Sequence, residues 1–373
     1  MALTIGLMSG TSLDGVDAVL ADFSRSASSP LQVRAHAHRE MPPALRDELL
    51  TLNASGQDEL HRAALAGNAL ARLYADSVVE VLELAGVPAL DVTAVGAHGQ
   101  TVRHRPGEFD ATGYTLQLLN GALLAELCGI NVVCDLRSRD VAAGGQGAPL
   151  VPAFHAALWA RPGLAQAVLN LGGIANLSLL HSDGSVGGFD CGPGNALMDA
   201  WCLQLHGRAF DDDGAWAASG QMNAELLERL LSEPFFNRAP PKSTGRELFN
   251  ADWLMRALSA GGPAVAAADV QATLAELTAQ SAAKALLRHA PESTRLLVCG
   301  GGALNGHLMR RLAALLPGIA VQSTDACGLP PQQVEAAAFA WLAHAFVERC
   351  PGNVPSVTGA RGPRLLGALY PAR

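Results

Sequence analysis

Lysine is nearly absent from this chain: only Lys242 and Lys284 occur in 373 residues. The motif G-x-x-x-x-G-K-[ST] is absent as well, which excludes the P-loop class of nucleotide-binding proteins. Arginines stand singly and the formal net charge is -8, so the chain lacks the basic surface that binds a nucleic acid backbone. We therefore expect no nucleic acid partner, and any triphosphate must be held without a P-loop lysine.

Long apolar runs and paired cysteines are also missing. No stretch reaches the ~18 uninterrupted apolar residues of a membrane span, and the N-terminus lacks the basic start and apolar core of a signal peptide. The seven cysteines are widely spread without a C-x-x-C pair, which fits neither a disulfide framework nor a zinc site. These absences predict a cytoplasmic protein with no membrane partner.

The chain has ample material for two cores. It is 49% hydrophobic and only 16% charged, and 373 residues exceed the size at which one core stops growing. Strand-like and helix-like segments alternate, including a long helix pattern at about 58–84, which predicts an α/β fold. The Gly- and Pro-rich run VAAGGQGAPLVP is typical of a crossing between domains. We predict an N-terminal domain of residues 1–137 plus 352–373 and a C-terminal domain of residues 138–351.

Two β-hairpins of similar design open the two halves of the chain. The segments LTIGLMSG and GVDAVLADF predict strands joined by a turn of small, hydroxyl and acidic residues. The segment AQAVLNLGGIANLSLL begins the second hairpin and carries Gly172, Gly173 and Asn176. The likeness of the two hairpins suggests an internal duplication of the fold.

The residue types in these hairpins point to phosphate and Mg²⁺. Backbone N–H groups at glycines can approach phosphates, and Asp14, Asp17 and Asp190 offer oxygens to a cation directly or through water. Clamping of nucleotide phosphates between the hairpins would explain both features. The alternative is that the glycines serve tight turns and that the acids are solvated.

A third glycine turn, GGGALNG at 300–306, follows a predicted strand and precedes a predicted helix. Its spacing is G-x-G-x-x-x-G, which departs from the dinucleotide fingerprint. A nicotinamide site, a structural strand-to-helix turn and a nucleotide contact of another kind all remain open, and we favour the last.

Asp190 stands out among the acidic residues. It ends an apolar strand and precedes CGPGN, a stiff turn with no other charge, so we expect it to be partly buried and aimed at a fixed point. A carboxylate placed in this way is a candidate general base. Its alternative role is to bond the amides of the turn from Gly192 to Asn195.

The segment GAHGQTVRHRP predicts a buried strand that ends in a polar loop, where α/β proteins place ligands. We expect His98, Gln100 and Thr101 to hydrogen-bond a polar ligand, although a buried structural histidine is as good an interpretation of His98. Arg137, just past another predicted strand, could bind a carboxylate or a phosphate, with a surface ion pair as the default.

Six blocks of the sequence, in this order, closely resemble the anhydro-N-acetylmuramic acid kinases of bacterial cell-wall recycling. They are GLMSGTSLDGVD, GAHGQTVRHRP, LNLGGIANLS, GFDCGPGNALMDAW, PPKSTGRELFN and VCGGGALN. Departures are small, with Cys191 and Ala97 standing where hydroxyl residues are more frequent. The resemblance implies the sugar kinase, heat-shock ATPase and actin superfamily, in which two ribonuclease H-like domains form a nucleotide cleft.

The resemblance also implies a reaction and the residues that perform it. A kinase that depends on ATP and Mg²⁺ opens the 1,6-anhydro bond of anhydro-N-acetylmuramate with water and phosphorylates O6, giving N-acetylmuramate 6-phosphate and ADP. Asp190 would act as the base on water and Glu335 as a second acid at the sugar. Thr101 and Arg137 match positions that contact the sugar, with Arg137 as the partner of the lactyl carboxylate. A homodimer is implied by the family alone.

The residues that we predict to bind ATP come from the three glycine turns, and Asp14 is expected to hold Mg²⁺ through water. They are Gly10, Thr11, Ser12, Leu13, Asp14, Gly15, Val16, Asp17, Gly172, Gly173, Asn176, Gly301, Gly302 and Asn305. Alternative functions are a kinase of another sugar or of a carboxylic acid, an ATP-driven clamp without a small substrate, and a nicotinamide dehydrogenase.

Overall fold

The computed structural model describes residues 3–10, 12–24, 31–245, 248–261 and 264–372. The chain divides into two compact units, Met1–Leu158 with Gln333–Arg373, and Trp159–Gln332. Thr11, which we predicted to contact ATP, lies outside the described residues.

Both units combine β-sheets with α-helices, which confirms the predicted α/β class. The strands are β1 (Leu3–Met8), β2 (Gly15–Asp22), β3 (Gln32–Glu40), β4 (Val92–Ala97), β5 (Gln100–Pro106), β6 (Gly113–Leu118), β7 (Val132–Cys134), β8 (Gln166–Leu171), β9 (Ile174–Leu180), β10 (Val186–Pro193), β11 (Arg295–Cys299), β12 (Ala320–Ser323) and β13 (Ala368–Tyr370). The helices are α1 (Pro43–Thr51), α2 (Glu59–Ala85), α3 (Gly121–Cys128), α4 (Ser138–Ala142), α5 (Val151–Trp159), α6 (Ala196–His206), α7 (Ala215–Ser219), α8 (Ala224–Leu231), α9 (Ala251–Ser259), α10 (Ala267–His289), α11 (Gly306–Leu315), α12 (Val334–Val347) and α13 (Pro355–Thr358).

The two main sheets repeat one strand order. In the first unit the order is β3-β2-β1-β4-β7, extended by β13, and in the second it is β10-β9-β8-β11-β12. Each begins with an antiparallel three-strand meander whose first strand pairs in parallel with a later strand, β1 with β4 and β8 with β11. The strands β5 and β6 form a separate antiparallel ribbon in the first unit. The two main sheets thus share one topology, in agreement with the internal duplication that the two similar hairpins suggested.

Helix α12 lies backbone to backbone against the first sheet. A Cβ at Gly6 of β1 would be 1.8 Å from the carbonyl oxygen of Ala336, and a Cβ at Gly96 of β4 would be 2.0 Å from that of Phe339. Any larger residue at these two positions would force the helix away from the sheet. This close packing fixes the beginning of α12 relative to the ends of β1 and β4.

The unit boundaries differ from those expected from the sequence. Residues 138–158 and 333–351, expected in the C-terminal domain, belong to the first unit. The buried carboxylate of Asp140 in α4 explains part of this, because it accepts hydrogen bonds from Asn353 Nδ2 at 2.7 Å and Thr358 Oγ1 at 2.8 Å. Helix α12 explains the rest by packing on β1 and β4. Composition marks the glycine-rich loop but not the helices that pack beyond it.

Candidate active site

The turn between β1 and β2 is held by side chains from the end of β4. The Nδ1 atom of His98 donates to the carbonyl oxygen of Ser9 at 3.1 Å, and Gln100 Nε2 donates to that of Gly10 at 3.2 Å. Both side chains are almost fully buried. Two residues that we expected to contact a polar ligand therefore hold the backbone of the turn that we expected to contact phosphates.

A residue of α2 completes this support. The hydroxyl of Tyr74 lies 2.8 Å from Ser9 Oγ, which also donates to the carbonyl oxygen of Gly99 at 3.2 Å. Tyr74 is fully buried, and its burial raises the pKa of the phenol well above its ordinary value. The phenol therefore stays protonated and serves as a fixed hydrogen-bonding group.

His98 also contacts Arg137. Both Nε and Nη2 of Arg137 donate to His98 Nε2, at 3.2 and 3.0 Å, and Nη1 donates to the carbonyl oxygen of Gly147 at 2.8 Å. Because Nε2 accepts from arginine and Nδ1 donates to a carbonyl, the partners of His98 require the neutral Nδ1–H tautomer. Burial, assisted by the charge of Arg137, lowers the pKa of His98 to about 3. His98 thus joins the turn between β1 and β2 to Arg137, the residue predicted to bind a carboxylate.

Gly10 and Gly15, the two glycines of the first turn, differ in whether the surrounding fold requires a glycine at that position. A Cβ at Gly15 would lie 2.5 Å from the carbonyl oxygen of Arg39, so packing of β2 against β3 requires this glycine. A Cβ at Gly10 would meet only Ser12 Oγ at 3.6 Å and Met8 Cε at 3.9 Å among the described atoms. The glycine at 10 is therefore not required by its neighbours, and the space beside it fits a ligand that approaches the backbone.

The acids near this turn already have partners. Asp14 Oδ1 accepts from Ser12 Oγ at 2.6 Å and from the backbone N–H of Gly15 at 3.0 Å. Asp17 Oδ1 lies 3.0 Å from ring nitrogens of both His36 and His38 on β3. The buried side chains of Leu13 and Val16 leave only their backbone groups for a ligand.

A polar network covers one side of the β5–β6 ribbon. Gln117 Nε2 donates to Thr101 Oγ1 at 3.1 Å and to Thr115 Oγ1 at 2.8 Å. The Oε1 atoms of Gln100 and Gln117 are buried and have no hydrogen-bond partner in the described part of the chain. Buried acceptors without partners are costly, so the ribbon carries acceptors that suit the hydroxyl or amide donors of a ligand.

In the second unit, polar residues form a row across three strands. Asn170 of β8 lies opposite Asn176 of β9, which lies opposite Asp190 of β10, so the three side chains share one face of the sheet. The Oδ1 atom of Asn176 is buried without a partner in the described residues. The register shifts immediately after Asp190, and such irregularities commonly re-aim a side chain beside an active site.

The carboxylate of Asp190 is buried and held in a fixed direction. It is 8% exposed, and its Oδ2 accepts the backbone N–H of Thr244 at 2.9 Å. Its own backbone N–H donates to the carbonyl oxygen of Lys242 at 3.2 Å. The N–H groups of Gly194 and Asn195 donate to the carbonyl oxygens of Gly173 and Gly172, so these amides are used by the glycine turn. Asp190 therefore has the fixed, buried position that the sequence predicted.

The turn between β8 and β9 is held by the backbone that leads into α6. Gly194 N–H donates to Gly173 O at 3.0 Å, and Asn195 N–H donates to Gly172 O at 2.8 Å. A Cβ at Gly194 would lie 2.2 Å from Gly172 O, whereas the nearest atom to a Cβ at Gly172 is 3.8 Å away. Gly194 is required for this packing and Gly172 is not, so the space beside Gly172 also fits a ligand.

The third glycine turn joins β11 to α11. Gly300 has a φ of +77°, and a Cβ there would lie 2.5 Å from Asn170 Oδ1. A Cβ at Gly302 would lie 2.5 Å from Leu171 Cβ, whereas one at Gly301 would come no closer than 3.6 Å, to Asn195 Nδ2. Asn305 Oδ1 accepts the N–H of Leu308 and caps α11. Gly301 is the member of this turn whose fold contacts leave room for a ligand.

The described residues contain neither a cluster of metal ligands nor a membrane-spanning helix. No group of three or more His, Cys, Asp or Glu side chains within them is arranged to hold a metal ion. None of the helices in these ranges combines the length and the apolar character needed to cross a membrane. The proposed Mg²⁺ contact of Asp14 stays a prediction.

The family model of the anhydro-N-acetylmuramic acid kinases matches residues 2–372 of the chain. The chain belongs to this family. A curated relative named anhydro-N-acetylmuramic acid kinase from Variovorax paradoxus is 62% identical over 378 residues, covering 99% of each chain. Relatives of the same name from Cupriavidus pinatubonensis and Bordetella petrii are 58% and 61% identical, over 98% and 99% of this chain and 98% and 96% of their own.

Solved structures add nothing to this assignment. The activator of the 2-hydroxyisocaproyl-CoA dehydratase from Clostridium difficile with bound ADPNP aligns with 93% of this chain and 96% of its own, at 12% identity and a TM-score of 0.46. A ROK family glucokinase from Streptomyces griseus aligns with 91% and 99%, at 13% identity and a TM-score of 0.40. Both scores are too low to support an argument.

Membership of the anhydro-N-acetylmuramic acid kinase family confirms the predicted family and makes the chain a kinase. The nicotinamide dehydrogenase and the clamp without a substrate therefore do not apply. Glu335, the second acid that the resemblance implies, lies in the first turn of α12, next to Ala336, whose carbonyl oxygen lies against Gly6. The close contact of α12 with the sheet thus fixes the backbone at Glu335.

Several residues that shape this kinase's site were missed at the sequence level. They are Tyr74, Thr115, Gln117, Gly147, Asn170 and Thr244. Tyr74 and Gln117 lie in ordinary helix and strand patterns, and Gly147 and Thr244 act through backbone groups. The available signals were the positions of Asn170 in the block LNLGGIANLS and of Thr244 in the block PPKSTGRELFN, both of which resemble the family.

Proposed function

We propose that the chain opens the 1,6-anhydro bond of anhydro-N-acetylmuramate with water and phosphorylates the released O6, giving N-acetylmuramate 6-phosphate and ADP. When bound, ATP supplies the phosphoryl group and Mg²⁺ offsets the charge of its phosphates. The observation that carries this proposal is the buried carboxylate of Asp190, fixed by an amide and aligned with the unpartnered Oδ1 of Asn176.

Asp190 is the proposed general base. A water molecule that donates one proton to this carboxylate and the other to Asn176 Oδ1 turns its lone pair away from both acceptors. Proton transfer to Asp190 then accompanies attack of the water on the anomeric carbon. The amide of Thr244 keeps the carboxylate in one orientation, so the base does not have to reorganise as the reaction proceeds.

Arg137 is the proposed partner of the lactyl carboxylate. Its guanidinium group is held from two sides, by His98 Nε2 and by the carbonyl oxygen of Gly147. A planar group held in this way presents its charge to a carboxylate in one direction. His98, which we expected to touch the sugar, fits an orienting role better because both of its ring nitrogens have protein partners.

The glycine turns are the proposed phosphate contacts. Gly10 and Gly172 have no packing reason to lack a side chain, and the backbone beside each is open to a ligand. Backbone N–H groups there can bind phosphate oxygens without the lysine that a P-loop requires. We also infer a cytoplasmic location and a homodimer from the resemblance, and light scattering after size-exclusion chromatography tests the second.

Substitution Asp190→Asn tests the proposed base. It should lower sugar-dependent ADP release by about 10²- to 10⁴-fold, because the amide cannot accept the proton, while the Kd for ATP stays within about twofold. The matched control is Asp183→Asn, in an exposed turn where the carboxylate accepts hydrogen bonds from the backbone N–H and the hydroxyl of its neighbour Ser185. Wild-type ADP release by Asp190→Asn would remove the proposed role.

A panel of substrates tests the sugar. ADP release should depend on anhydro-N-acetylmuramate and should be lost when the lactyl carboxylate is reduced or esterified, because Arg137 would have no anionic partner. Equal activity with an anhydro-sugar that lacks the lactyl group would favour a kinase of another sugar.

A further inference from the structure

Lys242 is one of two lysines in the chain and has no part in the function proposed above. It lies in the block PPKSTGRELFN, beside strand β10. Its Nζ donates to the carbonyl oxygens of Phe235 at 3.1 Å and Phe236 at 3.3 Å. The same ammonium lies 4.7 Å from the ring centre of Phe235 and 5.7 Å from that of Phe189.

These contacts anchor the lysine to a rigid part of the second unit. Phe235 is fully buried and packs edge to face on Phe249, which in turn packs on Trp253. An ammonium held by two carbonyl oxygens and two aromatic faces combines charge-assisted hydrogen bonds with cation–π attraction. Half-burial lowers the pKa of Lys242, and the negative charge of Asp190 acts in the opposite direction.

The backbone of the same segment holds Asp190 at two points. The carbonyl oxygen of Lys242 accepts the N–H of Asp190, and the N–H of Thr244 donates to Asp190 Oδ2. Residues 242–244 therefore form a strap across the edge strand β10, fastened by the Lys242 side chain at one end. The side chain of Phe189, next to Asp190 in β10, faces the same ammonium.

We infer that Lys242 is a positioning residue for Asp190: its anchored side chain holds the 242–244 strap, and the strap orients the carboxylate. This inference rests on the proposed role of Asp190 as the base. Without the anchor, the strap loses its attachment to the core, and the amide of Thr244 no longer holds Oδ2 in one direction. Misplacement of a reacting group by about 1 Å can cost on the order of 10²-fold in rate.

Substitution Lys242→Met tests the inference, because methionine keeps the length of the side chain but cannot donate to the two carbonyls. We expect kcat to fall by about 10- to 100-fold while the KM for the sugar and the Kd for ATP stay within about twofold. Lys242→Arg, which keeps the charge and the donors, should restore most of kcat. Lys284→Met is the matched control, since the other lysine is exposed on α10, and it should leave kcat unchanged.

A second measurement separates positioning from simple loss of stability. In an Asp190→Glu background the carboxylate is already displaced, so Lys242→Met should lower kcat by less than about threefold, whereas independent effects would multiply. Thermal melting of each variant reports the folded fraction at the assay temperature. Should Lys242→Met fail to fold, Lys242→Gln gives the same comparison with one N–H donor retained.

The outcomes distinguish this inference from the proposed function. If Asp190→Asn keeps wild-type turnover, the proposed function is wrong and the inference with it. If Asp190→Asn is inactive but Lys242→Met keeps wild-type kcat, only the inference is overturned. The same holds if Lys242→Met lowers kcat by the same factor in the Asp190→Glu background as in the wild type. The inference is supported if Lys242→Met lowers kcat, if Lys242→Arg restores most of it, and if the effect of Lys242→Met is lost in the Asp190→Glu background.

Discussion

The first turns of the two units occupy the same place in one strand order but are held by different groups. In the first unit, side chains of His98 and Gln100 bond the carbonyl oxygens of Ser9 and Gly10. In the second unit, backbone amides at the start of α6 bond the carbonyl oxygens of the glycine turn. The first turn therefore depends on which side chains follow β4, whereas the second is held mainly by the close approach of two backbones, with one side-chain hydrogen bond from Asn195 Nδ2 to the carbonyl oxygen of Leu171.

This difference has a consequence for how each turn responds to substitution. Side-chain support can be removed one hydrogen bond at a time, and its loss should change ligand binding more than folding. Backbone support has no side chain to remove, and it fails only where an added atom forces the two segments apart.

The largest effect is expected at Gly194 in the second unit. Substitution Gly194→Ala places a Cβ 2.2 Å from the carbonyl oxygen of Gly172, so the α6 backbone must shift away from the turn. We expect the free energy of unfolding to fall by roughly 3 kcal/mol, with loss of ATP binding, as measured by denaturant unfolding and calorimetry.

Gly172→Ala is the matched control for this substitution. Its Cβ would lie no closer than 3.8 Å to any other atom, so the melting temperature should be unchanged. The KM for ATP should nonetheless rise, because the added methyl group would occupy the space proposed for a phosphate. Equal destabilisation by both alanines would contradict the difference between the two glycines.

The second largest effect is expected from acid, which should lower the stability of the first unit more than that of the second. Burial lowers the pKa of His98 and of His155, both in the first unit, to about 3, below the ordinary value of 6.5. Between these values the unfolded state binds more protons than the folded state, so stability is present at neutral pH and falls as the pH drops below 6.5. Each histidine contributes up to about 1.4 kcal/mol per pH unit in this range.

Hydrogen exchange measured by mass spectrometry at pH 7 and pH 5 tests this expectation. After correction for intrinsic exchange, peptides of the first unit should lose more protection at pH 5 than peptides of the second. In the second unit, His289 and His307 are only partly buried, and this burial also lowers the pKa of each. Greater loss of protection in the second unit would contradict the assignment.

The smallest effect is expected when the two hydrogen bonds of His98 are removed one at a time. His98→Asn keeps an N–H near the position of Nδ1 and loses the acceptor for Arg137, whereas His98→Gln keeps an acceptor near Nε2 and loses the donor to Ser9. We expect His98→Asn to raise the KM for the sugar, and His98→Gln the KM for ATP, each by about tenfold.

Steady-state kinetics with one substrate varied at a time provide the measurement for both His98 variants. If both raise the same KM, then His98 does not serve the two sites separately. If neither KM changes, the interpretation of His98 as a buried structural histidine is the better one.

Local patterns were sufficient to predict much of this fold. Alternating apolar residues and glycine turns predicted the paired hairpins, and the long helix pattern at about 58–84 corresponds to α2. The expected burial of Asp190 is confirmed, but the expectation that it ends its strand was wrong, because β10 continues past it to Pro193. The block resemblance predicted the family, which the family model confirms.

The partners of the site residues could not be predicted in the same way. His98 contacts Ser9 and Arg137 across 89 and 39 residues of sequence, and Asp190 contacts Thr244 across 54. No local pattern encodes which carbonyl oxygen a buried histidine or glutamine bonds. The assignment of His98 and Gln100 to a ligand alone was therefore incomplete, since both hold the turn between β1 and β2.

The sequence by itself determined the elements, the repeated hairpins, the family and the identity of the candidate base, because periodicity, glycine placement and motif order are local properties of the chain. Only the tertiary structure decided that α12 belongs with the first sheet, that His98 links Ser9 to Arg137, and that Lys242 anchors the segment beside Asp190. These arrangements depend on packing and on hydrogen bonds between residues far apart in the chain, and such contacts exist only once the chain has folded.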